Sequence, residues 1–128
     1  MPNWIREIKW FIQRGKRGWA DCDVWSFDNY LNKIIIAGIE RLAKNQMGCP
    51  GEFWDETRKN DECHRWRETL EEMRQGFMAM EEQDNHSYFF KRNKEGQNEF
   101  DKERNEQLEK KVLRGLELFC KHYRSLWD

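Results

Sequence analysis

Apolar residues recur at three- and four-residue spacing along most of this chain, the pattern of amphipathic helices rather than of strands. Trp4, Ile5, Ile8, Phe11 and Ile12 predict a first helix over about 3–14, with Asn3 as its N-cap and Gly15 and Gly18 ending it. A second helix is expected to begin near Asp21 or Asp23, whose carboxylates suit a positive helix end, and to run to about Asn45. Val24, Phe27, Leu31, Ile34 or Ile35, Gly38 and Leu42 form its inner stripe, and Met47-Gly48-Cys49-Pro50-Gly51 stops it. A third helix over 61–83 follows from Trp66, Leu70, Met73, Phe77 and Met80. Asp84-Asn85-His86-Ser87 reads as a break, and Tyr88-Phe89-Phe90 fits either a short extended piece or the start of the next helix.

The last helix is expected over 97–125, with Phe100, Leu108, Val112, Leu116, Phe119 and Tyr123 on its stripe and Leu113, Cys120 and Trp127 widening it. Asp101 to Lys111 is nearly all charged, which suits a solvated helix held by pairs such as Glu106 with Lys110. Together these elements predict an all-α fold, a small bundle of about four helices with a long charged C-terminal helix. At 128 residues the expectation is a single domain with one core.

Composition changes that picture little. Charged residues make up 37% of the chain, enough to favour disorder, but seven Trp, eight Phe and three Tyr supply the apolar area to order it. The net charge of −1 provides no global field for nucleic acid or an acidic membrane, so neither is an expected partner. Positive charge gathers in residues 1–20, where Arg6, Lys9, Arg14, Lys16 and Arg17 face Glu7 alone. The first helix has the make-up of a membrane-surface helix, yet its apolar face serves a bundle equally well. The longest apolar run, Ile34 to Ile39, is far short of the roughly 20 residues that span a bilayer. Cys22, Cys49, Cys63 and Cys120 form no CxxC pair and follow no secretory signal, so reduced thiols and a cytoplasmic setting are expected.

The richest stretch chemically is Arg14 to Leu31. Two glycines allow close backbone approach, three cations lie within four residues, and acids then alternate with tryptophans up to a helix start. Such a segment can cradle a small anion. Arg14, Lys16 and Arg17 would supply charge, Trp19 and Trp25 would stack on a base, Asp21, Asp23 and Asp28 would orient the cations or read ligand donors, and Tyr30 is counted with them as a ligand-binding residue. The architectural alternative is as well founded: Asp21 or Asp23 caps the second helix, Arg17 pairs with Asp28, and Trp19 and Trp25 lock the first helix to the second.

Other chemistry is thinner. Asp61-Glu62-Cys63-His64 mixes metal-ligand types but has no second cluster of matching spacing, so no metal is expected, and no cofactor; His64, His86 and His122 read as surface histidines. Glu68 with Glu71 and Glu81 with Asp84 imitate the carboxylate spacing of Mg²⁺-dependent nucleotide hydrolases. Both pairs would lie on one helix, too far apart to share ions within one subunit. No G-x-S-x-G elbow is present.

Arg17-Gly18-Trp19, Asp21, Asp23, Trp25-Ser26-Phe27-Asp28-Asn29-Tyr30-Leu31, Ala43-Lys44-Asn45 and Gly48-Cys49-Pro50-Gly51 resemble a widespread family of small helical proteins of unassigned function encoded by tailed phages and prophages. The resemblance spans roughly residues 4–80, so 1–83 is the family-like core and 84–128 a variable connector and C-terminal helix. It implies phage origin and action in a bacterial cytoplasm, and carries over no catalytic residue. The resulting expectation is a non-enzymatic, homo-oligomeric phage accessory protein of counter-defence or host modulation that holds a small anionic, nucleotide-like ligand. The alternatives are a module inhibiting a host protein and a Mg²⁺-dependent nucleotide hydrolase.

Overall fold

The computed structural model describes residues 2–45, 48–85 and 90–127. Among these the chain is all-α, with four α-helices and one two-stranded sheet. The helices are α1 (Asn3–Arg17), α2 (Phe27–Asn45), α3 (His64–Asp84) and α4 (Lys102–His122), and the strands are β1 (Phe90–Arg92) and β2 (Asn98–Phe100). Short 3-10 turns occupy Asp21–Ser26, Gly51–Phe53 and Tyr123–Ser125. No helix among the described residues is long and apolar enough to cross a membrane. Packing divides the chain into two compact units, Met1–Ile34 and Ile35–Asp128.

In the first unit, α1 runs one turn beyond its expected end. Gly15 lies inside the helix, and Gly18 terminates it with φ +85°, its N–H donating to the Arg14 carbonyl at 2.9 Å. Pro2 rather than Asn3 precedes the first helical residue; the Asn3 side chain instead accepts from the Arg6 guanidinium at 3.0 Å. The second helical segment opens as the 3-10 turn and becomes α-helical only at Phe27. Asp23 caps that turn by accepting the Ala20 N–H at 2.8 Å.

The expected inner stripe of α2 is realised only at Ile35 and Leu42. Val24, Phe27, Leu31 and Ile34 are exposed, whereas Asn32 and Ile39 are buried and Ile35, Ile36, Leu42 and Ala43 partly so. The buried face is thus turned by about one residue, roughly 100° of helix, from the face that apolar spacing selects.

The apolar core lies in the second unit. Ile39, Phe53, Trp66, Leu70, Met73, Phe77 and Leu118 form it, and a satellite of Ala79, Leu108 and Val112 extends it along α3 and α4. The expected α3 stripe is realised: Trp66, Leu70, Met73 and Phe77 are buried and Met80 is partly so. On α4 the buried positions are Leu108, Val112, Gly115, Leu118 and His122, while Tyr123 and Leu113 are exposed. Gly115 belongs to that face because it touches the backbone of α3 at Gly76, and this contact sets the rotation of the helix.

Four further expectations are revised. Residues 98–100 are a strand, not the start of the last helix; Phe100 pairs with Phe90, Glu99 with Lys91 and Asn98 with Arg92 in antiparallel register. The Asn93 side chain, accepting the Glu95 and Gln97 N–H groups, and Gly96 at φ +76° close this hairpin. Asp101 then caps α4 by accepting the Arg104 N–H. Glu106 pairs with Lys102, one turn before it, rather than with the expected Lys110 one turn after. Cys49 and Cys63 form a disulfide, their Cα atoms 5.7 Å apart, so these two thiols are not reduced; Cys22 and Cys120 are free. His122 is no surface histidine, being only 5% exposed between the rings of Phe53 and Trp66. Met47, His86, Ser87, Tyr88 and Phe89 lie outside the described residues, and with them most of the proposed break and the choice between strand and helix at 88–89.

Candidate functional site

The Arg14 to Tyr30 segment folds as a clasp within the first unit. Arg14 lies one helical turn before the cap of α1 and reaches Asp23 with two bonds, Nε to Oδ2 at 2.9 Å and a terminal nitrogen to Oδ1 at 2.6 Å. This parallel fork is the geometry a guanidinium and a carboxylate prefer. Asp23 also accepts the Ala20 N–H, and its buried carboxyl is held down to about 2, first by the Arg14 bonds against the opposing effect of burial and then by that backbone donor. The same bonds raise the Arg14 guanidinium above its ordinary value.

Arg17 pairs with Asp21, donates to the Trp19 carbonyl at 2.9 Å and lies 3.7 Å from the Trp19 ring centre. Asp21 is also bonded twice by Gln13: the Gln13 amide donates to the carboxylate at 2.8 Å and its oxygen accepts the Asp21 N–H at 2.9 Å. Arg17 and then Gln13 depress the Asp21 carboxyl. The Tyr30 hydroxyl donates to the Gly18 carbonyl at 2.6 Å, tying the first turn of α2 to the cap of α1. Trp25 meets the edge of Trp10 with centroids 6.1 Å apart, yet remains 77% exposed.

Every residue named in the sequence for this segment is therefore placed in one unit, but mostly with roles inside the fold. Arg14 and Arg17 already have carboxylate partners, and Asp23 caps a turn. Arg17 pairs with Asp21, not with Asp28, which is exposed on the first turn of α2. Of the three cations, Lys16 alone has no ion pair or hydrogen bond among the described residues. Sequence reasoning missed Gln13 and Trp10. Their signal was available, since both lie on the polar arc of α1 beside Arg17.

That arc defines the other feature of the unit. At about 100° per residue, Trp4, Ile5, Ile8, Phe11 and Ile12 share one third of the α1 circumference, and Trp10, Gln13, Arg14 and Arg17 lie on the remainder. The polar side is the one bonded to the 3-10 turn. No α1 residue is buried: Phe11 is 77% exposed, Trp4 62% and Ile8 51%.

Elsewhere the candidate chemistry dissolves into structure. Asp61 pairs with Arg67 and Cys63 is in the disulfide, so the Asp61–His64 run offers no open ligand set, and no cluster of three or more metal-ligating side chains occurs among the described residues. Glu68, Glu71, Glu81 and Asp84 all lie on α3 as expected. Arg74 grips Glu71 at 2.8 and 2.6 Å and lowers its carboxyl. No family model, curated protein or solved structure matches this chain.

Proposed function

We propose that this chain is a phage accessory protein that works by docking, without catalysis, and that α1 is its docking face. The observation carrying this reading is the orientation of α1: fork and stack bonds hold its polar side against the 3-10 turn, while five large apolar side chains on the other side are left uncovered. Engaging the charged side of a helix with the fold while Trp, Ile and Phe side chains stay exposed inverts the usual arrangement, and a contiguous exposed apolar face marks an interaction site. The resemblance to phage-encoded proteins supports placing the partner in a bacterial host.

A photo-crosslinking residue in place of Phe11 tests the docking face in cells, with one in place of the exposed Glu95 as control. Adducts at position 11 and none at position 95 are expected. Equal or absent labelling at both sites would remove α1 as a docking face.

Retention of a small nucleotide-like anion by the 14–30 segment is a second reading, supported by two features of the same unit, a Lys16 without an ion pair or hydrogen bond among the described residues and an exposed Trp25 ring. Calorimetry with a nucleotide panel tests it: saturable heat that Lys16→Ala and Trp25→Ala both abolish is the expected result, and no heat with any nucleotide ends it.

A further inference from the structure

We infer that the partner of the α1 face is an anionic lipid surface, on which the helix lies flat with its apolar side inserted. This rests on the reading of α1 as a docking face and identifies what it docks to. Three features of the unit point the same way. First, Trp4, Ile5, Ile8, Phe11 and Ile12 form one continuous uncovered side, with no acid inside it. Second, Lys9 and Lys16 border that side by helical position, and neither has an ion pair or hydrogen bond among the described residues, so both are available to phosphate headgroups. Third, the polar side is restrained by Arg14 with Asp23 and Arg17 with Asp21, so the apolar side cannot roll inward against the 3-10 turn without breaking those bonds.

Charge decides between occupants. Along α1, Arg14 and Arg17 are answered by Asp23 and Asp21, which leaves Arg6, Lys9 and Lys16 against Glu7 alone and keeps the helix cationic. A second copy of the same helix would bring equal positive charge to the interface, whereas anionic headgroups are complementary to it. A helix with aromatic and branched apolar residues on one face and cations on the other is the form that settles into a headgroup layer to a depth of about 5–10 Å. No span of the bilayer is implied, in keeping with the absence of a spanning helix among the described residues. The net charge of −1 averages over the whole chain, whereas a surface experiences the local field within about 10 Å.

The test is flotation of the full chain with vesicles of phosphatidylglycerol and phosphatidylcholine, compared with vesicles of phosphatidylcholine alone. Binding to the anionic vesicles that weakens with salt is expected. Lys9→Gln with Lys16→Gln should reduce partitioning on the order of thirtyfold, from about fivefold per cation near the surface. Ile8→Asp with Phe11→Asp should abolish it. Because all four side chains are exposed, far-UV circular dichroism should show unchanged helicity in both variants. Equal binding to both vesicle types, or none to either, overturns the lipid assignment. If vesicles fail while position 11 still crosslinks to a polypeptide or a second copy, the docking face stands and only its lipid partner falls. If vesicles and crosslinking both fail, the docking reading falls with it.

Discussion

Gly76 of α3 and Gly115 of α4 meet backbone to backbone: a Cβ built on Gly76 would lie 2.6 Å from the Gly115 Cα and 2.8 Å from the Lys111 carbonyl oxygen. Both obstacles are main chain, so neither can swing away as a side-chain tip would. Gly76→Ala must therefore push the helices apart, and the loss expected for such overpacking is about 1–3 kcal/mol or more. Gly115→Ala should behave alike, its Cβ lying 2.7 Å from the Gly76 Cα. Urea unfolding provides the check; midpoints equal to the parent in both variants would contradict the packing.

The Cys49–Cys63 bond closes a loop across 14 positions of sequence, the loop that carries Phe53 to Trp66 and His122. Reduction, or Cys49→Ser, is expected to destabilise the second unit by about 3 kcal/mol through the freedom returned to the unfolded chain. Intact mass under non-reducing conditions should rise by two hydrogens on reduction, and the thermal midpoint should fall together with it. Two further alkylatable thiols, Cys22 and Cys120, serve as internal controls because they are free.

Asp23 is held at about 2, below its ordinary 3.8, so its bonds favour the folded state above the ordinary value and that contribution disappears as pH falls through the folded one. Asp23→Asn keeps the Ala20 cap acceptor but removes the charge that answers Arg14. The variant should loosen the first unit at neutral pH and show a flatter decline in acid. Hydrogen exchange at the Ala20 amide, followed across the acid range, reads this directly; parent and variant curves that coincide would dismiss the fork as a restraint.

His122 is displaced in the same direction for a different reason. Burial against Phe53 and Trp66 lowers it below 6.5, only partly offset by Glu52 at 3.6 Å from Nδ1. The unfolded chain therefore binds the proton first as pH drops below the ordinary value. Stability contributed by neutral His122 is complete above that value and is lost as pH falls toward the lower folded one. Denaturation midpoints between about pH 8 and 5 should decline in the parent and stay level in His122→Phe, which keeps a ring in the same space. A parallel decline in the two would refute the assignment.

How much of this was legible in advance differs by feature. The α3 stripe of Trp66, Leu70, Met73 and Phe77 was readable because four consecutive apolar positions leave one possible inner face. On α4, Leu116, Phe119 and Tyr123 are as apolar as Leu108 and Val112, and hydropathy alone follows them. The buried line passes through Gly115, Leu118 and His122 instead, since a glycine contributes nothing to an apolar pattern yet allows the closest helix approach. The candidate segment was legible as a concentration of charge and rings, but not as a clasp: Arg14 and Asp23 are nine positions apart, and only the turn at Gly18 brings them within bonding distance.

Helix formation is a local matter of spacing and capping, so the chain's own pattern was enough to establish an all-α protein, its four helical stretches and the cationic, two-faced character of α1. Which side of each helix is covered depends on groups distant in sequence. The tertiary structure alone joined Cys49 to Cys63, enclosed His122 among rings and engaged the polar side of α1, leaving its apolar side outward. A period of 3.6 residues specifies that a helix has two faces; contact free energy with the rest of the fold selects which one meets solvent.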